Sequence, residues 1–400
     1  MKGLRPTRAV VDLDALARNF HTLSRRVGPG CAVMPVVKAD GYGHGAAAVA
    51  RRLEREGATS FAVAVVEEAA ELRRDGVEAE ILVMGWIGHD QLPDLIRHGL
   101  VANAHSLELL AELAAFSEAR GVVLPLHLKL DTGMTRLGLL PADLPDAIAM
   151  LKRAAWLRVD GVFQNFASAD DEADGQSDAQ IDCFAEQVRA LTFGGVPVPM
   201  VHVANSAGTL APPRWPAGLP LPARVRPGLI LYTRFPGLER FPIEDVMTLK
   251  SVADQVKEVP AGTRVGYGGT FVASRRTMLA MVPGGYADGI PRSLSGVGSV
   301  LVRGIRCPIA GRISMDLTAV DVTELSPEVR RGEEVVFFGS QGGTRLGVEE
   351  LAAAAGTVGW EVLCGVGPRV PRIIVEGGSP SRINSRFFVS PESCTDHEDR

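Results

Sequence analysis

Several segments of this chain place ionisable side chains where apolar strands give way to loops. In Val36-Val37-Lys38-Ala39-Asp40-Gly41-Tyr42-Gly43-His44-Gly45, the run before Lys38 reads as a buried strand and Ala46 to Leu53 reads as a helix. Lys38 thus falls at a strand end, ahead of three glycines and Tyr42. Glycines there let backbone approach a ligand closely, and the helix N-terminus offers N–H groups to an anion such as phosphate. Desolvation lowers the basicity of a lysine so placed, which makes Lys38 a candidate amine for covalent attachment to a carbonyl. The competing reading is a lysine snorkelling from a rim beside an ordinary glycine loop.

A second strand end, His127-Leu128-Lys129-Leu130-Asp131, carries three ionisable groups at alternate positions, and burying them is costly unless they are paired. Lys129 therefore needs a partner or a modification. Arg136, seven residues on, suits a carboxylate or phenolate because its planar fork stays charged. Asn205 and Ser206 follow the apolar run that contains His202; they either cap a short helix or hold a phosphate. Arg226 lies in an otherwise apolar strand, ahead of Gly228 and Leu229, and calls for an anion or a lone pair. The four tyrosines of the chain, Tyr42, Tyr232, Tyr267 and Tyr286, all lie in glycine-bearing, loop-adjacent segments, which points to use of their hydroxyls.

The elements that must position these groups form a regular series. Apolar strand candidates at 32–37, 61–65, 80–84, 101–104, 125–130, 159–164, 199–204 and 224–231 alternate with helical patterns at 46–56, 67–74, 106–119, 143–154 and 178–192. The connection between the last two strands is the weak one: Ala211–Pro222 is rich in proline and reads as loop. Eight such repeats over roughly 200 to 250 residues predict an α/β fold, a (β/α)8 TIM-type barrel with its chemistry at the strand C-terminal ends; a doubly wound open sheet is the alternative. The barrel is assigned to residues 1–238, with Asp12 or Asp14 capping a first helix. Residues 239–376, with strand-like runs at 246–259, 277–283, 299–303, 308–313, 317–322 and 334–339 and one helix at 347–355, predict a mainly β domain. Residues 377–400 are polar and irregular and read as a disordered tail.

Composition narrows the function. The 400 residues are 46% hydrophobic and 22% charged with a net charge of −5 and no basic run, which argues against a nucleic-acid partner. No stretch of about 18 apolar residues and no apolar signal segment occurs, so the expectation is no membrane and a cytoplasmic location. Five dispersed cysteines without a CxxC pair read as reduced thiols, with no metal site.

Taken together, VVKADGYGHG (36–45), HLKLDTGMTRLG (127–138), HVANSAGT (202–209), VRPGLILY (225–232), VGYGGTF (265–271), GGYADG (284–289) and GRISMD (311–316) resemble the alanine racemase family in order and spacing, over nearly all of the chain to about residue 375. The resemblance implies a pyridoxal 5′-phosphate enzyme that interconverts L- and D-alanine, an amino-acid substrate, with D-alanine going to peptidoglycan. It implies that Lys38 holds the cofactor and acts as one base, and that Tyr267 acts as the other from the opposite face. It also implies that Tyr42 and Ser206 with the amides near Gly228 and Leu229 hold the phosphate, beside Asn205 as a further cofactor-binding candidate. Arg136 would meet the phenolic oxygen and the substrate carboxylate, Met315 the carboxylate, and Tyr286 the entrance. Lys129 resembles a lysine that the family often carbamylates. Arg226, with His202 behind it, would face the pyridine nitrogen; an arginine keeps its proton, so that nitrogen stays unprotonated, the Cα carbanion is short-lived, and reprotonation is favoured over transamination. Tyr267 would come from the partner of a head-to-tail homodimer.

Two positions depart from the family. Asn165 stands where a ring-stacking histidine is usual, and Trp360 where a phosphate-binding tyrosine is usual; both bear on how the cofactor is held. Three other functions are compatible with parts of the pattern: a broader racemase accepting serine, a non-catalytic pyridoxal-phosphate carrier that needs no second base, and a decarboxylase whose cofactor nitrogen would meet an acid.

Overall fold

The structure, a computed structural model, describes residues 4–171, 175–210, 222–234, 237 and 241–384. Near the amino terminus β1 (Arg8–Asp12) runs into a helix, Leu13–Val27. Asp12 Oδ1 accepts from the amides of Asp14 and Ala15, at 2.8 and 3.0 Å, so Asp12 is the capping residue of the two candidates.

Eight parallel strands then close a barrel: β2 (Ala32–Val33), β3 (Ser60–Val63), β4 (Glu80–Val83), β5 (Ala102–Ala104), β6 (Leu124–Lys129), β7 (Leu157–Phe163), β8 (Val201–His202) and β9 (Pro222–Val225). Ladders join β3 to β4 and run from β5 through β9 and back to β2. The parallel bridges Val36–Ala62 and Leu82–Val101 complete the circle. Closure explains the continuous apolar runs: all four residues of β3 are buried, as a strand covered on both faces requires. The surrounding helices turn one stripe inward, for example Val66, Ala69 and Leu72 of Val66–Arg74. Ser106 caps Leu107–Arg120 by accepting from the Leu109 amide at 3.2 Å, and Gly121, at φ +60°, ends it. Residues 211–221 of the proline-rich connection lie outside the described residues.

The second unit is mainly β: β10 (Met247–Val252), β11 (Gln255–Val259), β12 (Arg264–Val265), β13 (Phe271–Val272), β14 (Thr277–Pro283), β15 (Ser299–Val302), β16 (Ile305–Pro308), β17 (Leu317–Asp321), β18 (Glu334–Gln341), β19 (Thr344–Leu346), β20 (Arg372–Glu376) and β21 (Ser379–Asn384). One sheet has the order β16-β15-β18-β10-β1-β20-β21, a second has β11-β14-β17, and β12-β13 is a hairpin. Val265, Leu279, Ala310 and Ala319 pack together under the hairpin, with Val259, Phe271 and Met281 against them.

Four sequence assignments are corrected. The boundary drawn at 1–238 fails at the amino terminus: β1 pairs antiparallel with β10 and parallel with β20, so the residues up to Ala15, together with Tyr42–Gly45, belong to the β unit, and the barrel unit is Leu16–Gly41 with Ala46–Ile243. Alternation marks a strand but not its partner. The tail read from residue 377 begins instead with β21, antiparallel to β20; it is an exposed edge strand and lacks the apolar alternation that announces a half-buried one. Residues 385–400 lie outside the described residues. The run at 308–313 is displaced to β16, because Arg303 and Gly304, both with positive φ, make a two-residue turn directly after β15. The run at 246–259 is two strands, split at Ala253 and Asp254.

Within the β unit Asp288 is fully buried and ties three distant segments. Its carboxylate accepts from Arg5 (2.5 and 3.1 Å), Arg369 (2.7 and 3.0 Å) and the Gly285 amide (3.1 Å). Burial pushes its pKa up, but the hydrogen bonds from Arg369 and Arg5 outweigh this and hold it below the ordinary value. Asp288→Asn should therefore cost about 3 kcal/mol of stability near neutral pH. A depressed carboxyl stabilises above its unfolded pKa of about 4 and loses that contribution as pH falls through the folded value. Thermal melts from pH 7 to 3 should show the variant's deficit shrinking toward the acid end; a constant deficit would mean that the charge is not what holds the three segments.

Candidate active site

Lys38 ends the segment that pairs with β3, Val37 N donating to Ala62 O at 2.9 Å. The next residues, within Lys38–Tyr42, form a left-handed turn: Ala39 (φ 52°), Asp40 (54°), Gly41 (61°) and Tyr42 (54°). Only glycine adopts this conformation freely, and each of the others costs ~1–2 kcal/mol. Bonds at both ends hold the turn. Glu68 Oε1 accepts from the Ala39 amide at 2.6 Å, and Asp40 Oδ1 from the Ala46 amide at 2.8 Å. Gly43 admits no side chain, since a Cβ would lie 2.4 Å from Leu363 O.

Around the barrel, the other groups also sit at strand C-terminal ends. Lys129 ends β6 and is only 5% exposed, and Asp131 follows it. Asp131 Oδ1 accepts from Gly133 N and Thr135 N, shaping the loop that carries Arg136. Asn165 lies two residues beyond β7, its Nδ2 donating to Phe166 O (2.8 Å) and toward Met134 Sδ (3.1 Å). Beyond β8, Asn205 Oδ1 accepts from Gly208 N at 3.1 Å, so it does cap the helix Ser206–Leu210, and Ser206 Oγ accepts from Gly228 N at 3.0 Å. Leu229 opens the short helix after Gly228.

Arg226 follows β9 and is 4% exposed, with no carboxylate among its hydrogen-bond partners. Nη1 donates to His202 Nδ1 and His202 O, both at 2.7 Å, and Nη2 to Gln164 O at 2.5 Å. Because arginine only donates, His202 Nδ1 must accept, so the His202 proton is on Nε2. That nitrogen lies 2.8 Å from His127 Nδ1, which must therefore accept in turn. The His127 proton is then on Nε2, which has no hydrogen-bond partner among the described residues. Phe163 supports the group: its ring stacks on His202 at 4.8 Å, with the Arg226 guanidinium 5.1 Å and the Lys129 ammonium 5.7 Å from its centroid.

The electrostatics follow from this crowding. Burial, then the charges of Arg136, Arg226 and Lys38, push Lys129 down to about 8 against the pull of Asp131. Burial brings Arg226 to about 9, still protonated at neutral pH. Burial, then Arg224 and Arg226, holds His127 near 3, and burial with Arg226 holds His202 well below its ordinary value. A mouth with four cations and one carboxylate suits an anionic small molecule.

Three contributors were not read from the sequence. His105, just past β5, shares this mouth: burial and the Lys129 charge lower its pKa. Gln180, buried on Gln176–Phe193, donates to Thr132 Oγ1 and Asn165 O and accepts from Ala167 N, joining two of the loops. Glu68 is the third. Tyr232, grouped with the tyrosines of chemical interest, is instead a core residue whose hydroxyl donates to Val36 O at 3.1 Å.

In the β unit, Tyr267 occupies the tip of the β12–β13 hairpin between Gly266 and Gly268, both at φ +71°, and is 71% exposed. Met315 is 52% exposed, its carbonyl accepting from Ala287 N at 3.1 Å; Tyr286 N donates to Ser314 O at 3.1 Å. This contact requires Gly285, since a Cβ there would lie 2.2 Å from Ser314 O. Trp360 lies on Gly359–Gly365 and is 43% exposed; Tyr42 is half-buried, its carbonyl 3.0 Å from His44 Nδ1.

A parallel barrel with a lysine and a cationic mouth at its C-terminal end, followed by a β unit bearing an exposed tyrosine, defines a class of barrel enzyme acting on small anionic substrates. Comparison with known proteins makes this specific. The family models for the alanine racemase N-terminal and C-terminal domains match residues 11–236 and 246–374. The chain is 42% identical over 389 residues to an alanine racemase of Sorangium cellulosum, covering 93% of this chain and all of that one. It is 38% identical over 377 residues to one of Desulforamulus reducens, covering 92% and 99%. Among solved structures, alanine racemase of Clostridium difficile 630 superposes with a TM-score of 0.89 at 31% identity, covering 97% and 100%. That of Bacillus anthracis with bound L-Ala-P gives 0.88 at 32%, covering 96% and 98%. A Bartonella henselae alanine racemase with covalently bound pyridoxal phosphate gives 0.84 at 28%, covering 93% and 100%. The chain belongs to the alanine racemase family.

The neutral histidine pair has a measurable consequence. Histidines depressed in the fold bind fewer protons than in the unfolded chain between their folded values and about 6.5, so stability falls as pH drops below about 6.5. His127→Gln keeps an acceptor for His202 but does not titrate. Melts from pH 7.5 to 5 should show this variant losing less stability than wild type, by about 1.4 kcal/mol per pH unit at the steepest point. Parallel curves would mean that His127 is protonated in the fold.

Proposed function

We propose that this chain interconverts L- and D-alanine with pyridoxal 5′-phosphate, using Lys38 and Tyr267 as bases on opposite faces of Cα. The observation that carries the reading is the barrel mouth in which Lys38, Lys129, Arg136 and Arg226 act on one another with Asp131 as the opposing charge. Such a donor set fits a cofactor bearing a phosphate and a phenolate, and a substrate bearing a carboxylate. When bound, the cofactor supplies an electron sink that makes the Cα proton removable.

The residues divide the remaining work. Lys38 Nζ holds the cofactor and moves a proton on one face. Tyr42, Asn205 and Ser206, with the amides of Gly228 and Leu229, hold the phosphate, and Trp360 stands near that end of the sequence pattern with a single N–H to offer. Arg136 grips the phenolate and the substrate carboxylate, aided by the Met315 backbone, and Tyr286 lines the entrance. Arg226 would offer the cofactor's ring nitrogen a proton that it does not release, which would keep that nitrogen unprotonated and favour return of the proton to Cα. Asn165 borders the ring. Lys129, partly neutral near pH 8, is nucleophilic enough to take up carbon dioxide; the carbamate would turn a surplus cation into an anion that orients Arg136.

The second base comes from a second copy of the chain in a head-to-tail homodimer. The exposure of Tyr267, Met315 and Leu317 supports this, since large apolar groups on one unit favour burial by a partner. A bare carrier would need no such tyrosine. The enzyme works in the cytoplasm, in keeping with Cys31, Cys183 and Cys307 as free thiols, and its D-alanine supplies peptidoglycan synthesis. Among the described residues no helix is long and apolar enough to cross a membrane.

Chiral analysis after incubation with L-alanine and, separately, L-serine tests the activity. Alanine should racemise at least tenfold faster, on the order of the discrimination a few contacts confer; equal rates would make this a broad racemase, and no exchange of the Cα hydrogen with solvent would make it a carrier. Lys38→Ala should abolish turnover in both directions. Tyr267→Phe should suppress it, most in deprotonation of L-alanine, and full activity in that variant would sink the two-base scheme. Protein equilibrated with 13C-bicarbonate should give a carbamate carbon resonance that Lys129→Met lacks.

A further inference from the structure

The turn after Lys38 holds two non-glycine residues, Ala39 and Asp40, and then Tyr42 in left-handed conformation beside the proposed base. Strain of this kind persists only where neighbours over-determine it. From the next strand end, one carboxylate does so. Glu68 Oε1 accepts from Ala39 N at 2.6 Å, while Oε2 accepts from Ala64 N at 2.8 Å and from Val65 N at 3.3 Å. Its two oxygens thus bind the first amide past Lys38 to the amides just past β3. The β2–β3 junction itself is thin, a bridge at Val36–Ala62 with no continuous ladder. Asp40 secures the far end of the turn, through Ala46 N.

We infer that Glu68 is a positioning residue for Lys38: it fixes the left-handed turn, and through it the direction in which the lysine amine leaves the barrel wall. The carboxylate acts through the Ala39 amide and not as a group at the reacting atoms. Its effect is on the fraction of time that Lys38 spends in reach, so kcat and cofactor retention should respond while substrate affinity should not. This rests on Lys38 being the catalytic lysine. Racemisation by the wild type in the same assay separates failure of that reading from failure of this one.

A simpler role is available to Glu68, since it also caps its own helix, Val66–Arg74, through Ala64 and Val65. Ala39→Gly distinguishes the two, because glycine adopts positive φ without a Cβ penalty and does nothing for that cap. For holoenzyme of Glu68→Ala, kcat should fall about tenfold, the loss expected for one charge-assisted hydrogen bond, with KM for alanine within about twofold. Pyridoxal phosphate followed by its absorbance should leave the variant faster on dialysis. Adding Ala39→Gly should recover most of both losses. Should Glu68→Ala fold poorly by circular dichroism, Glu68→Gln replaces it; its one carbonyl oxygen cannot serve both sides, and the same rescue is expected. Wild-type kcat and cofactor retention in the Glu68 variants would overturn the inference. So would losses that Ala39→Gly leaves untouched, which would assign Glu68 to helix capping alone.

Discussion

A buried guanidinium whose hydrogen-bond partners among the described residues are all neutral acceptors organises the barrel mouth. Arg226 can only donate, so every group around it is forced to accept: the carbonyls of Gln164, His202 and Val203, and the Nδ1 of His202. That requirement fixes the tautomer of His202 and then that of His127. Both rings stay neutral because a cation already lies beside them and water does not. The aromatic face of Phe163 supplies what negative potential is left, shared between Arg226 and Lys129. The site is thus poised for an anion before any anion arrives, and the cost of gathering like charges is met by the closed barrel around them.

Closure is what makes that gathering possible. Short strands such as β2 and β8, two residues each, would be weak in an open sheet. In a closed ring each has a neighbour on both sides, and the loops after their C-terminal ends converge. At the mouth, side chains add to the joining that the ladders provide. Glu68 ties the Lys38 turn to the end of β3, and Gln180 ties the loop after β6 to the loop after β7. Both lie on helices outside the barrel wall, so the helical layer shapes the mouth as well as covering the sheet.

What the sequence disclosed divides along physical lines. Barrel strands were legible because they are mainly apolar, and the cations of the mouth because a Lys or Arg inside such a run is costly to bury. Partnership was not legible: β1 alternates as a half-buried strand should, yet only tertiary packing sends it to β10 and β20. The edge strand β21 is polar because solvent covers it. Gln180, Gln187 and Glu68 look like ordinary helix-surface residues, although Gln180 and Gln187, spaced by seven among Ile181, Phe184, Val188 and Leu191, fall on the buried face and could have been found by that periodicity. Tyr232 shows the opposite error, a tyrosine near glycines that is a buried core residue with its hydroxyl on a core carbonyl.

Asn165 brings these strands of reasoning together. A smaller side chain where relatives carry a stacking ring would leave a loose loop if the side chain alone held its place. Here the loop is held from behind by Gln180, which binds the Asn165 carbonyl and the Ala167 amide, while the Asn165 amide folds back onto Phe166 O and Met134 Sδ. The backbone at this position is therefore set by a buried glutamine on a neighbouring helix and not by contact with a ring. The wall at Asn165 thus keeps its geometry through the Gln180 contacts to backbone, whatever side chain stands there.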